Sequence, residues 1–71
     1  MPVPHPLIAE LARARRDAGM SLKEMAYRLG YAPGSLSKWE AGDTTPNVDA
    51  ATDYAAALGY RLTLTREGGA R

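Results

Sequence analysis

Residues 21–42 read SLKEMAYRLGYAPGSLSKWEAG and contain two short helical patterns joined by a glycine-marked turn. The first pattern repeats apolar residues at helical spacing from Leu22 to Leu29, and Gly30 closes it. The second starts with Pro33 at the first helical position and stops at Gly42. Helices this short do not bury their apolar stripes alone. The rest of the chain is therefore expected to support this pair.

The composition limits the class of protein. The chain has 71 residues, 45% of them hydrophobic, which predicts one small globular domain rather than a disordered segment. It has no cysteine, so no disulfide or thiolate metal site stabilises it. The net charge of +1 is only a weak indication of nucleic-acid binding. No apolar run approaches the roughly 20 residues of a membrane span, and no signal pattern precedes the domain, so we expect a cytoplasmic protein without membrane contacts.

The N-terminal segment, residues 1–5, has alternating prolines that favour an extended arm. The arm either touches DNA or a partner, or is a disordered leader, and we favour the leader. His5 is the only histidine, and it fits a helix start better than a catalytic role. With no phosphate loop and no paired carboxylates either, we expect no enzyme, no cofactor and no metal site.

The predicted domain, residues 6–59, consists of four helices and makes the fold class all-α. Helix 1 starts at Pro6 and runs to about Ala18, and Ser21 caps helix 2, which spans residues 22–29. Glu24 is expected to complete a capping box with Ser21. Helix 3 spans residues 33–41, and Asn47 caps helix 4, residues 48–58. The expected core face of helix 4 is Val48, Ala51, Tyr54, Ala55 and Leu58.

The hydrophobic period changes after Gly59. Tyr60, Leu62 and Leu64 alternate with polar residues, which predicts a strand over residues 60–66. The chain contains no second strand to pair with it, so it is either a frayed tail or it pairs with the same strand of a second copy. We favour a symmetric dimer in which the two leucines pack over helix 4. Residues 67–71 are predicted to be a disordered tail.

The chain resembles the Cro/C1-type (XRE-like) helix-turn-helix family from about Leu7 to Tyr60. The residues that carry the resemblance are Leu11, Arg15, Gly19, Ser21, Met25, Ala26, Gly30, Leu36, Ser37, Glu40, Gly42 and Pro46. The resemblance implies a compact, lambda-repressor-like helical domain that binds operator DNA, with its helix-turn-helix at residues 21–41. It also implies that Arg15 and Glu40 form a partly buried ion pair between helices 1 and 3.

The resemblance places DNA contacts at the starts of helices 2 and 3, on the outer face of helix 3 and in the loop after it. The corresponding residues here are Ser21, Lys23, Pro33, Gly34, Ser35, Ser37, Lys38, Thr44 and Thr45. Lys38 is the best single candidate for a base-edge contact, as a donor to guanine.

Several positions depart from the family pattern. Leu22 stands where relatives usually have a phosphate-binding Gln, and Ala32 replaces the usual Ser or Thr cap of helix 3. Pro33 and Gly34 carry no side-chain donors, and Asp43 lies where many relatives have Lys. These departures bear on how DNA is read, and they leave the expected fold unchanged.

We therefore expect a sequence-specific DNA-binding transcriptional regulator, a repressor of bacterial or phage type, that binds a palindromic operator in double-stranded DNA as a homodimer. One alternative is the antitoxin of a toxin–antitoxin pair, which would also bind a protein partner. Another is a helix-turn-helix fold used as a protein-interaction module, which the low net charge and the departures favour.

Overall fold

The computed structural model describes residues 2–67, which form four helices. These are α1 (Pro6–Asp17), α2 (Leu22–Leu29), α3 (Pro33–Ala41) and α4 (Val48–Ala57). The predicted bounds of α2 and α3 are confirmed, and α1 and α4 each end one residue earlier than expected. Residues 1 and 68–71, which belong to the predicted arm and tail, lie outside the described residues.

Side chains cap two of the supporting helices at their first turns. The Nδ1 atom of His5 accepts a hydrogen bond from the Leu7 N–H at 3.0 Å, so His5 is a helix-start residue as expected. The Oδ1 atom of Asn47 accepts from the Ala50 N–H at 2.8 Å. Both bonds satisfy backbone donors that have no partner within their helix.

The core lies where all four helices meet. The helix pair α2–α3 packs against α1 and α4, so the support expected for two short helices is present. The largest fully buried side chains come one from each helix: Ile8, Met25, Leu36 and Tyr54. Ala26 and Ala55 are also fully buried, and alanines there let the helices approach closely.

One predicted core residue of α4 is wrong. Val48 is 76% exposed, whereas Ala50, which was not assigned to the core, is 1% exposed. The buried face of α4 is centred on Tyr54, and Ala50 lies one turn before it. The apolar side chain of Val48 suggests burial, but the turn of the helix places it outside that face.

The predicted C-terminal strand is also wrong: no strand forms among residues 2–67. No described segment runs beside residues 60–65 to form the ladder that a strand needs, and the Tyr60 N–H instead donates to the Ala55 carbonyl of α4 at 2.9 Å. Leu62 packs as a half-buried residue against the core, but Leu64 is fully exposed and does not cover α4. The alternation of leucines therefore does not mark a buried face within a single copy of the chain.

The N-terminal arm crosses the end of α3 at Gly42. Gly42 has a φ of 87°, and a β-carbon there would lie 2.6 Å from the Val3 carbonyl oxygen and 2.8 Å from the Pro4 nitrogen. Only glycine meets both constraints, because it adopts positive φ freely and leaves room for the arm. Residues 3 and 4 are thus seated beside the loop that follows α3.

Candidate nucleic-acid interface

The outer face of α3 carries most of the predicted contact residues. Leu36 and Trp39 are buried and fix the inward face of the helix. Four of the five predicted contacts on α3 are exposed, and Ser35 is half-buried. The exposed residues are Pro33, Gly34, Ser37 and Lys38. This helix therefore presents a polar and glycine-containing face that another molecule can reach.

The start of α2 is fixed by a side-chain cap. The Oγ atom of Ser21 accepts a hydrogen bond from the Glu24 N–H at 3.0 Å, which leaves the hydroxyl hydrogen to donate elsewhere. No return bond from the Glu24 carboxylate to Ser21 occurs among the described residues, so the predicted capping box is only half formed. Lys23 is exposed at this end, whereas Leu22 packs against the core.

The start of α3 has no side-chain cap. Ala32 occupies the cap position without a side-chain hydrogen bond, and Pro33 has no N–H. The Ser35 N–H donates to the Ala32 carbonyl at 3.0 Å. Among the hydrogen bonds of residues 2–67, none uses the Gly34 N–H as donor. That N–H lies in the first turn of α3, at the positive end of the helix dipole, and is available to an external acceptor.

The loop after α3 is tied to the helix by backbone bonds. The Asp43 N–H donates to the Lys38 carbonyl at 2.9 Å, and the Thr44 N–H approaches the same oxygen at 3.4 Å. Thr44 and Thr45 are both exposed. The loop therefore holds a fixed position next to the face that carries Lys38.

A buried polar network locks α3 to the other helices. Arg15 donates to Glu40 through two nitrogens, Nε to Oε2 and Nη2 to Oε1, each at 3.0 Å. Its third nitrogen donates to the Met20 carbonyl at 2.7 Å, and the Tyr54 hydroxyl donates to Glu40 Oε2 at 2.5 Å. The side chains of Arg15 and Glu40 are 9% and 11% exposed. One carboxylate thus connects α1, α3 and α4.

The network also sets the charge states of its members. The hydrogen bond to Glu40 raises the pKa of the Arg15 guanidinium, so Arg15 stays charged. Burial, followed by the hydrogen bond to Glu40, raises the pKa of the Tyr54 hydroxyl. Tyr54 therefore remains protonated and keeps donating to the carboxylate.

A shallow concavity of about 430 Å³ lies between the starts of α2 and α3. Its lining brings together three of the predicted contacts, Ser21, Lys23 and Pro33. Two tyrosines that we did not predict for the site, Tyr27 and Tyr31, line it as well. We define the nine predicted residues, together with this concavity, as the candidate interface.

A family model described as helix-turn-helix, HTH_3, matches residues 11–64, which is most of the chain. The chain belongs to the Cro/C1-type helix-turn-helix family. Comparisons with curated proteins and with solved structures gave no match. Membership indicates a DNA-binding regulator of the XRE type, and the family is not typically enzymatic.

Membership in the helix-turn-helix family assigns α2 and α3 to the two helices of the motif. The exposed face of α3 is the face of the second helix of the motif, which enters the major groove in this class of protein.

The described residues contain no cluster of acidic and histidine side chains that could hold a metal ion, and none of their helices is long and apolar enough to cross a membrane.

Three residues in or behind the candidate interface were not predicted in these positions or roles from the sequence. Tyr27 is 87% exposed on α2, and it could have been found because it falls outside the apolar spacing of that helix. Tyr31 packs edge-on against Trp39, with ring centroids 5.3 Å apart, and nothing in the local sequence predicts that contact. Tyr54 was assigned to the core, but a buried hydroxyl requires a partner, and that rule points to a polar residue on another helix.

Proposed function

We propose that this protein is a sequence-specific transcriptional repressor that binds a palindromic operator as a dimer. The observation that carries the proposal is the continuous exposed surface formed by the outer face of α3, the capped start of α2 and the loop with Thr44 and Thr45. Backbone N–H groups and hydroxyls on this surface suit phosphate oxygens, and Lys38 suits the acceptors of guanine.

The rigid support of α3 favours recognition of a defined sequence. Glu40 links the helix to both α1 and α4, and Trp39 anchors it from the core side. A helix held from several sides keeps its exposed side chains in register with base edges, and less entropy is lost on binding.

A single copy offers few cationic contacts, which is why we include a dimer in the proposal. Half-sites on one face of DNA lie about 34 Å apart, so a symmetric pair reads a palindrome. Leu62 is half-buried between grooves lined by α1 and α4, and Tyr60 and Leu64 are exposed beside it. We propose that residues 60–65 of two copies pack against each other and bury these side chains together.

The DNA-binding part is tested by selection from a random-sequence pool at two salt concentrations. An enriched palindrome, with affinity that falls steeply as salt rises, supports the proposal. Lys38→Ala should weaken binding to the selected site, whereas Glu10→Ala, an exposed residue of α1, should not. A protein that binds no DNA at low salt would instead support the protein-interaction module, which the uncharged start of α3 favours.

The dimer is tested by Leu64→Glu and light scattering. Because Leu64 is fully exposed in one copy, its substitution leaves the monomer fold intact. The variant should have the mass of a monomer, while Val3→Glu, another exposed apolar position, should retain the mass of the wild type. A dimeric mass for Leu64→Glu would reject pairing through residues 60–65.

A further inference from the structure

The first turn of α3 exposes an unusual surface for a helix expected to read bases. Pro33 and Gly34 are both exposed and carry no hydrogen-bonding side chain. Pro33 borders the concavity that Tyr27 and Tyr31 also line. The surface at this end of the helix is therefore largely apolar.

The side chains that line the concavity carry no net charge. Lys23 and Glu24 both line it, and their charges are opposite. Base edges in the major groove present one apolar feature, the C5-methyl group of thymine. The apolar ring of Pro33 matches that feature, while the Gly34 N–H beside it stays available to an acceptor.

Gly34 supplies an independent observation. A glycine inside a helix destabilises it relative to alanine, yet a β-carbon at Gly34 would meet nothing within 4 Å and the residue has no positive φ. The fold therefore gains nothing from glycine at this position. Glycine is explained if another molecule approaches the backbone closely here.

We propose that Pro33 is a specificity-determining residue that contacts thymine methyl groups, and that Gly34 lets the DNA edge approach the start of α3. The inference rests on the proposed DNA-binding function and names the chemistry of its base recognition. The proline ring has a fixed φ, and Tyr31, which lines the same concavity, is packed against Trp39, so the apolar surface is rigid.

The test replaces each thymine of the selected operator by deoxyuridine, which removes only the methyl group. The dissociation constant should rise roughly fourfold at the contacted thymines, the effect of one buried methyl. In Pro33→Ser, which replaces the apolar ring by a polar side chain, this ratio should fall to about one. The ratio is measured within each variant, so any change in the folded fraction cancels. Glu10→Ala, an exposed position of α1 outside the candidate interface, serves as the control that keeps the wild-type ratio.

Gly34→Ala tests the close approach. The variant should melt about 2–8 °C higher than the wild type, because it removes a helical glycine. It should nevertheless bind the operator at least several-fold more weakly. Operator binding that is unaffected by deoxyuridine, or wild-type affinity in Gly34→Ala, overturns the inference but leaves the proposed function standing. A complete lack of DNA binding overturns both.

Discussion

Removal of the Glu40 carboxylate is the sharpest test of how α3 is held. Glu40→Ala deletes both hydrogen bonds from Arg15 and the one from Tyr54. It leaves the Arg15 guanidinium charged in a site where its side chain is only 9% exposed. Breaking a buried ion pair from one side costs about 3–5 kcal/mol.

That loss is large for a chain of this size. A domain of 71 residues has a free energy of unfolding of roughly 4–11 kcal/mol. Glu40→Ala should therefore lower the melting temperature by at least about 12 °C, since each kcal/mol shifts it by about 4–8 °C. The assay is thermal unfolding followed by circular dichroism, with Glu10→Ala as the control for an exposed Glu→Ala change on α1.

The double variant separates the ion pair from a simple loss of packing. Arg15→Ala and Glu40→Ala should not be additive, because after the first substitution the partner is already unpaired. A melting temperature for Glu40→Ala within about 3 °C of the wild type would refute the reasoning, since it would mean that the network contributes almost nothing. DNA binding measured well below the transition should be weaker in Glu40→Ala but not abolished, because Glu40 positions α3 and is not itself an exposed contact.

Three further predictions concern stability. The pKa of Tyr54 is raised in the folded state, so its contribution to the free energy of unfolding is complete below about pH 10 and is lost as the pH rises above that value. Tyr54→Phe should flatten this loss of stability in a pH series of denaturant titrations. Gly42→Ala should destabilise more than Gly30→Ala, because both have positive φ but only Gly42 faces the backbone of Val3; equal losses would contradict the seating of the arm. Ser21→Ala should cost about 1 kcal/mol by removing the cap of α2, and chemical denaturation that detects no loss would contradict it.

The helix bounds were predictable because local chemistry fixes them. Gly30 and Gly42 end α2 and α3 with positive φ, and Pro33 starts α3, so each boundary depends on a single residue type. The face of α4 was less predictable. Alanine suits buried and exposed positions alike, so Ala50 gave no signal, and the apolar Val48 was placed inside although it lies outside.

Contacts between distant segments were predictable only in part. The resemblance paired Arg15 with Glu40, and these side chains are in contact, but it gave no reason to add Tyr54 from α4. The strand over residues 60–66 failed for a related reason. Alternation in Tyr60, Leu62 and Leu64 describes side chains, whereas a strand requires a partner backbone that the described chain does not supply.

The charge of the candidate interface argues for two copies on DNA. Arg15 is buried and paired with Glu40, so it does not contact DNA. The predicted contact residues include two cations, Lys23 and Lys38. Lys38 is assigned to a guanine edge, so Lys23 is the predicted contact of each copy that neutralises a phosphate. Log affinity should then fall with log salt with a slope of about −0.9 for one copy and about −1.8 for a dimer. A measured slope near −1.8 on the selected palindrome, lost in Lys23→Ala and kept in Lys38→Ala, would show that two copies bind the site together. A slope near −0.9 would assign binding to a single domain.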